Sequence, residues 1–174
     1  MNFARMFGIG LAAGMSLLVG AGCMSGSDAQ VSVQIAQIVN SYPSYPRINR
    51  AAYPSTLGAF DVDVYVSAEG AEAYRAIQPD KSGSQAAMPV GTVIVRTVVD
   101  ANRAVTKLTL MVKGSEDTNE LCGGWWFGVA DPTGHILADS SGIAQAGAVP
   151  ACESCHIPRA GDDYVFGVPA AYRM

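Results

Sequence analysis

Hydrophobic and polar positions alternate most regularly in AFDVDVYVS. There Phe60, Val62, Val64 and Val66 share one side, while Asp61, Asp63 and Tyr65 share the other. That period predicts a half-buried strand. AEGAEAYRAI (68–77) predicts a short helix and QPDKSGSQAAMPV (78–90) a loop. GTVIVRTVVDANRAVTKLTLMVKG (91–114) predicts a hairpin turning at Asn102 and Arg103. Pairing outward from that turn sets Arg96 opposite Thr109, Thr97 opposite Leu108 and Val99 opposite Thr106. One hairpin face then carries Val93, Val95 and Val99 with Val112, Leu110 and Thr106, the composition of a core face. The other carries Ile94, Arg96 and Val98 with Met111, Thr109 and Lys107. Its mixture of apolar side chains and charge fits a ligand-pocket wall or an exposed face. GGWWFGVADPTGHILA (123–138) predicts a further strand pair around the turn Asp131-Pro132-Thr133-Gly134. The fold class expected from these elements is α+β: a small, mainly antiparallel β-sheet domain of five or so strands with a few short helices.

The ends of the chain do not follow this pattern. Residues 1–22 hold a single charge, Arg5, and the apolar run FGIGLAAGMSLLVGAG, which is too short and too glycine-rich to span a bilayer comfortably. The run ends at Cys23 and opens into polar residues, the layout of an export signal. The expectation is a lipoprotein signal over 1–22, lipidation at Cys23, and a location in the periplasm or on a bacterial membrane. An ordinary signal-peptidase site in SDAQ, leaving Cys23 as a thiol, is the alternative. Residues 23–57 then read as a linker with an irregular Tyr/Pro segment, and 58–174 as the main domain. Three Tyr-Pro pairs in SYPSYPRINRAAYPSTLG (41–58) force extended or turn backbone, as a surface linker or as a wall over something buried. The net charge is −4, or −5 once Arg5 is removed with the signal. With no basic stripe or polybasic patch, nucleic acid is not an expected partner.

The chemistry is concentrated in ACESCHIPRAGDDYVF (151–166). Covalent haem attachment needs two thiols spaced to reach the two vinyl groups on one porphyrin edge. It also needs an imidazole immediately after them, to lie under the iron. Cys152, Cys155 and His156 supply those groups in that order, and export agrees with one covalent haem c. A redox disulfide between Cys152 and Cys155 is an alternative. So is zinc on Cys122, Cys152, Cys155 and His156, which is awkward because adjacent residues would have to reach one ion. Only Met174 follows the motif as a candidate sixth ligand. Met88 and Met111 lie upstream and double as core filler. His135 falls in the predicted turn, and Cys122 reads as a buried or free thiol. A five-coordinate iron with an open distal side is therefore favoured over a six-coordinate electron-transfer cytochrome.

Taken together, FDVDVYVSAEGAEAYRAI, PVGTVIVRTVV, LTLMVKG, GGWWFGVADPTG and CESCHIPRAGDDYVF resemble the cytochrome P-460 family, which includes the cytochromes c′-beta. The resemblance covers about residues 58 to 168. It implies a small antiparallel β domain, often dimeric, that binds haem c against its sheet with an open distal site. Hydroxylamine-oxidising members carry a porphyrin-linked lysine where Arg96 stands here, and a proton-relaying carboxylate where Thr109 stands. Guanidinium stays protonated and is a poor nucleophile, and a threonine hydroxyl is no general base near neutral pH. Binding of nitric oxide or a similar small ligand is therefore expected before oxidation of hydroxylamine, with a redox partner cytochrome in either case. Arg96 is expected to meet a haem propionate or a bound diatomic ligand, or to be a solvated strand residue. Phe60, Trp125, Trp126, Phe127 and the tyrosines of 42–53 are candidates to cap the distal pocket.

Overall fold

The valine alternation of 60–66 and the apolar runs within 93–130 form strands that pair edge to edge in one antiparallel sheet, whose two faces bury their side chains under other elements. The computed structural model describes residues 26–56, 58, 60–81 and 83–174. The export signal over 1–22 and Cys23 lie outside the described residues. Six strands run in sequence order across the sheet: β1 (Tyr53–Pro54), β2 (Asp61–Val66), β3 (Val93–Val99), β4 (Val105–Lys113), β5 (Trp125–Ala130) and β6 (Ala146–Gly147). Three helices accompany them, α1 (Gly26–Ser41), α2 (Ala68–Ala76) and α3 (Pro150–His156). This is the α+β antiparallel architecture that the polar and apolar pattern implies. No helix among the described residues is long and apolar enough to cross a membrane.

The central hairpin keeps the expected register from Val93↔Val112 to Val98↔Lys107, including Arg96↔Thr109 and Thr97↔Leu108. Near the turn it departs, because Val99 pairs with Val105 rather than Thr106, across a bulge. The loop is the reason. Asp100 N donates to Ala104 O at 3.0 Å, which leaves Ala101, Asn102 and Arg103 as a three-residue connection. Arg103 takes the left-handed conformation (φ 69°) that closes such a loop. Asp100 Oδ1 accepts from Asn102 N and Ala104 N, at 2.8 and 2.9 Å. The second arm expected after Asp131 is also not a regular strand. It is tied to β5 by the Ala130↔Ile136 bridge and by Leu137 N donating to Val129 O at 2.8 Å. Sheet pairing resumes only at β6.

Both sheet faces are covered. Val62, Val64 and Val66 of β2, Ile94 and Val98 of β3, Met111 of β4, and Trp125 and Phe127 of β5 share one face. They form the larger core with Ile48, Tyr53, Tyr74, Ile77, Val149, Val165 and Val168. The hairpin face of Ile94, Arg96 and Val98 is therefore not an exposed face. On the other side Val95, Leu108, Leu110 and Ala130 pack against Ile35 and Ile38 of α1, within the stretch expected to be a linker. The Tyr/Pro segment is likewise part of the wall. Ile48 and Tyr53 are buried, and β1 pairs with β2 through Tyr53↔Val62. Asp63, on the side of β2 expected to be polar, is buried. It is paired with Arg47 and accepts from Asn49 Nδ2 at 2.8 Å.

Candidate functional site

Helix α3 starts with Pro150, whose missing N–H would be unpaired in a first turn anyway. The N–H groups of Cys152 and Glu153 both donate to Val149 O, at 2.9 and 3.0 Å. Glu153 turns inward and is buried, accepting from Asn119 Nδ2 at 3.0 Å. The same Asn119 amide donates to Trp125 O at 3.0 Å, so the helix is tied to β5 through one side chain. Cys152, Cys155 and His156 stand at i, i+3 and i+4, a spacing that gathers them on one side of a helix. Cys152 is half-buried and Cys155 exposed, and both are unbridged thiols. Burial, with Cys155, Glu153 and Cys122 adding to it, pushes the Cys152 thiol up to about 11. It is therefore a protonated thiol near neutral pH. Among the described residues, no three His, Cys, Asp or Glu side chains are grouped so as to hold a metal ion, so the four zinc candidates are not assembled.

His156 sits under the sheet between two aromatic rings, Phe127 at 5.1 Å and Phe166 at 5.0 Å between centroids. Its Nδ1–H donates to Tyr164 O at 2.6 Å, which leaves Nε2 as the atom with a free lone pair. Burial lowers its pKa, the Tyr164 contact opposes that, and the Arg96 charge adds to the lowering. The net direction is below the ordinary imidazole value. A neutral ring with an available Nε2 is what a metal requires of histidine.

The acceptor is held by an unusual turn. Asp163 (φ 51°) and Tyr164 (φ 62°) are consecutive non-glycine residues in the left-handed region, which costs roughly 1–2 kcal/mol each. Three groups from other parts of the chain hold Asp163 there. Its carboxylate accepts from Lys113 Nζ at 2.6 Å and from Met88 N at 2.7 Å, and its carbonyl accepts from Trp125 Nε1 at 2.8 Å. Phe166 is fixed in turn by Tyr74, whose hydroxyl donates to Phe166 O at 2.7 Å and whose pKa burial raises. Of these anchors, Met88 and Trp125 were picked out from the sequence for other roles, and Lys113 and Tyr74 were not picked out. The trace they left was the DDY that follows the Cys-His motif.

Arg96 extends from β3 on the same sheet face as Phe127, and its charge is felt at His156, Tyr53 and Tyr74. It donates from Nη2 to Ser55 Oγ, while its buried Nε has no hydrogen-bond partner. Thr109, across the ladder, donates to Arg96 O at 3.5 Å. The two lysines of β4 are elsewhere engaged, Lys113 with Asp163 and Lys107 over the Phe60 ring at 5.5 Å. Trp125 and Phe127 are buried on the site face, whereas Trp126 is on the opposite one. Trp126 there lines a groove of about 370 Å³ with Ile35, Ile38 and Val112. His135 is 83% exposed beside Asp131, and Cys122 is buried without a disulfide. Met88 is core, and Met174 is exposed.

The family model for cytochrome P460 matches residues 40–167. The chain belongs to the cytochrome P460 family. Comparison with curated proteins finds no match to it. A cytochrome P460 is a haem protein, so this chain takes a haem cofactor. The match begins upstream of the region picked out by motifs alone, and it takes in the Tyr/Pro wall with Ile48 and Tyr53. The residues present suit the group. Two unbridged thiols and a neutral imidazole share one side of α3, and a buried guanidinium nitrogen without an acceptor lies on the sheet face that His156 meets through Phe127.

Proposed function

We propose that Cys152 and Cys155 carry the thioether links of one haem c, that His156 Nε2 is the proximal ligand, and that the distal side is open to nitric oxide or a similar small ligand. Each link adds a thiol S–H across a vinyl C=C. The sulfur bonds one carbon and the proton goes to the other, with no net oxidation. The observation that carries the reading is the orientation of His156, with Nδ1 committed to Tyr164 O and Nε2 left for iron beside two unbridged thiols. Haem supplies reversible binding of diatomic ligands and one-electron chemistry.

Arg96 and Thr109 support ligand binding over hydroxylamine oxidation. Guanidinium is no nucleophile for a porphyrin bond, a threonine hydroxyl is no general base near neutral pH, and neither β4 lysine stands at the Arg96 position. The unpartnered Arg96 Nε suits an anionic or polarised acceptor, either a propionate or a bound ligand. The remaining proposals come from the sequence: export, lipid attachment at Cys23, a domain boundary at 22, a partner cytochrome and a homodimer.

The test is optical. Protein matured in a periplasm able to attach haem c should change its reduced spectrum on adding carbon monoxide. Its denatured form should give an ordinary c-type pyridine haemochrome. No response to the gas would make it a six-coordinate electron-transfer cytochrome instead. A perturbed haemochrome would reveal a further porphyrin bond and overturn the reading of Arg96.

A further inference from the structure

The carbonyl that holds His156 belongs to a segment that would not stay in place unaided. Asp163 and Tyr164 both have positive φ. The contacts that oblige them to do so come from the end of β4, the loop before β3 and the start of β5. Lys113 is the charged member of that set. It is only 12% exposed, its Nζ also donates to Gly123 O at 2.8 Å, and it lies over the Trp125 ring at 5.2 Å. An imidazole whose Nδ1–H is hydrogen-bonded to a carbonyl is a more basic ligand through Nε2, which favours the oxidised metal.

We infer that the Lys113–Asp163 ion pair is a positioning device for the proximal ligand. It fixes the Asp163–Tyr164 turn, keeps Tyr164 O on His156 Nδ1, and so holds the haem reduction potential down. The inference rests on the proposed role of His156.

Charge and position predict opposite signs for one substitution. Lys113→Met keeps the stem over Trp125 and deletes a positive charge. By charge alone, that would favour oxidised iron and lower the potential. Loss of the clamp weakens the His156 hydrogen bond and raises it. The expected result for the holoprotein is a shift of the redox equilibrium of at least tenfold toward the reduced form, about 59 mV for one electron. The iron–histidine stretching band should move to lower frequency. Lys113→Arg, which keeps the pair, should match the parent in both. The charge-neutral double variant Lys113→Met/Asp163→Asn should also shift positive. If Lys113→Met does not fold, Lys113→Gln should show the same sign with smaller size. A potential that is unchanged or lower, with the band unmoved, would overturn the inference while leaving haem attachment intact. A parent protein without covalent haem, or a His156→Ala variant that keeps the band, would instead remove the reading beneath it.

Discussion

Asp162 shows how much one side chain does for the site. It is fully buried, and its Oδ1 accepts from Gly83 N, Ser84 N and Ser84 Oγ at 3.1, 2.7 and 2.6 Å, while Arg159 lies 2.7 Å from Oδ2. Burial pushes its pKa up, but the Ser84 and Gly83 hydrogen bonds and the Arg159 charge outweigh that and leave it lowered. Asp162→Ala would strand a buried guanidinium and three donors, so a loss of about 3–5 kcal/mol is expected in urea unfolding. The pH dependence has a definite sign. A carboxyl with a depressed folded pKa contributes stability that is complete above its unfolded value of about 3.9 and is lost as pH falls through the folded value. Unfolding midpoints from pH 6 to 3 should therefore fall more steeply for the parent than for Asp162→Asn. Cys152, Cys155 and His156 could be nominated from the sequence because the chemistry expected of them depends on local spacing. Asp162 and Lys113 could not, because their partners at 83–84 and 163 are brought to them only by the fold.

At the scale of elements, the alternation of β2 and the pairing of β3 with β4 could be read directly, because a two-residue period admits few registers once one face must be apolar. The turn could not. Asn102-Arg103 has the length of a two-residue loop, but Asp100 accepts twice within its own turn and draws in a third residue. The extra residue is absorbed by the bulge at Val98/Val99. The left-handed backbone at Arg103 makes this testable. Arg103→Val, with a branched Cβ at positive φ, should cost about 1–2 kcal/mol, whereas Arg103→Asn should be nearly neutral because asparagine tolerates that conformation. The Arg103 contact to Asp63 is 3.7 Å long and more than half exposed on the arginine side, so its loss is common to both variants and small. Equal stabilities by thermal unfolding would restore the shorter turn. Helix α1 was missed for a different reason. Its polar opening at GSDAQ reads as linker, and the apolar spacing of Ile35 and Ile38 counts only once a second sheet face needs covering.

The whole molecule is a sheet with two separate duties. One face carries Phe127, Arg96 and the His156 segment, and the other is sealed by α1 through Ile35 and Ile38. The sequence could show that one face of the central hairpin is apolar and that the other mixes apolar side chains with charge. It could not show which one faces the Cys152–His156 motif, since that depends on where residues 150–168 return. If the faces are energetically separate, damage to one should leave the other's readout alone. Ile35→Ala removes a side chain that is 2% exposed and packed in the second core, for a loss of about 2–5 kcal/mol in chemical denaturation. The haem spectrum and carbon monoxide response of the folded variant should stay at parent values. Combined with Asp162→Ala, whose partners lie away from the second core, the losses should add within about 0.5 kcal/mol, as for sites without shared partners. A larger coupling, or a spectral shift from Ile35→Ala alone, would mean that the sheet transmits strain between its faces. The groove beside Ile35, Val112 and Trp126 would then be mechanically connected to the His156 segment, because Val112 precedes Lys113 on β4.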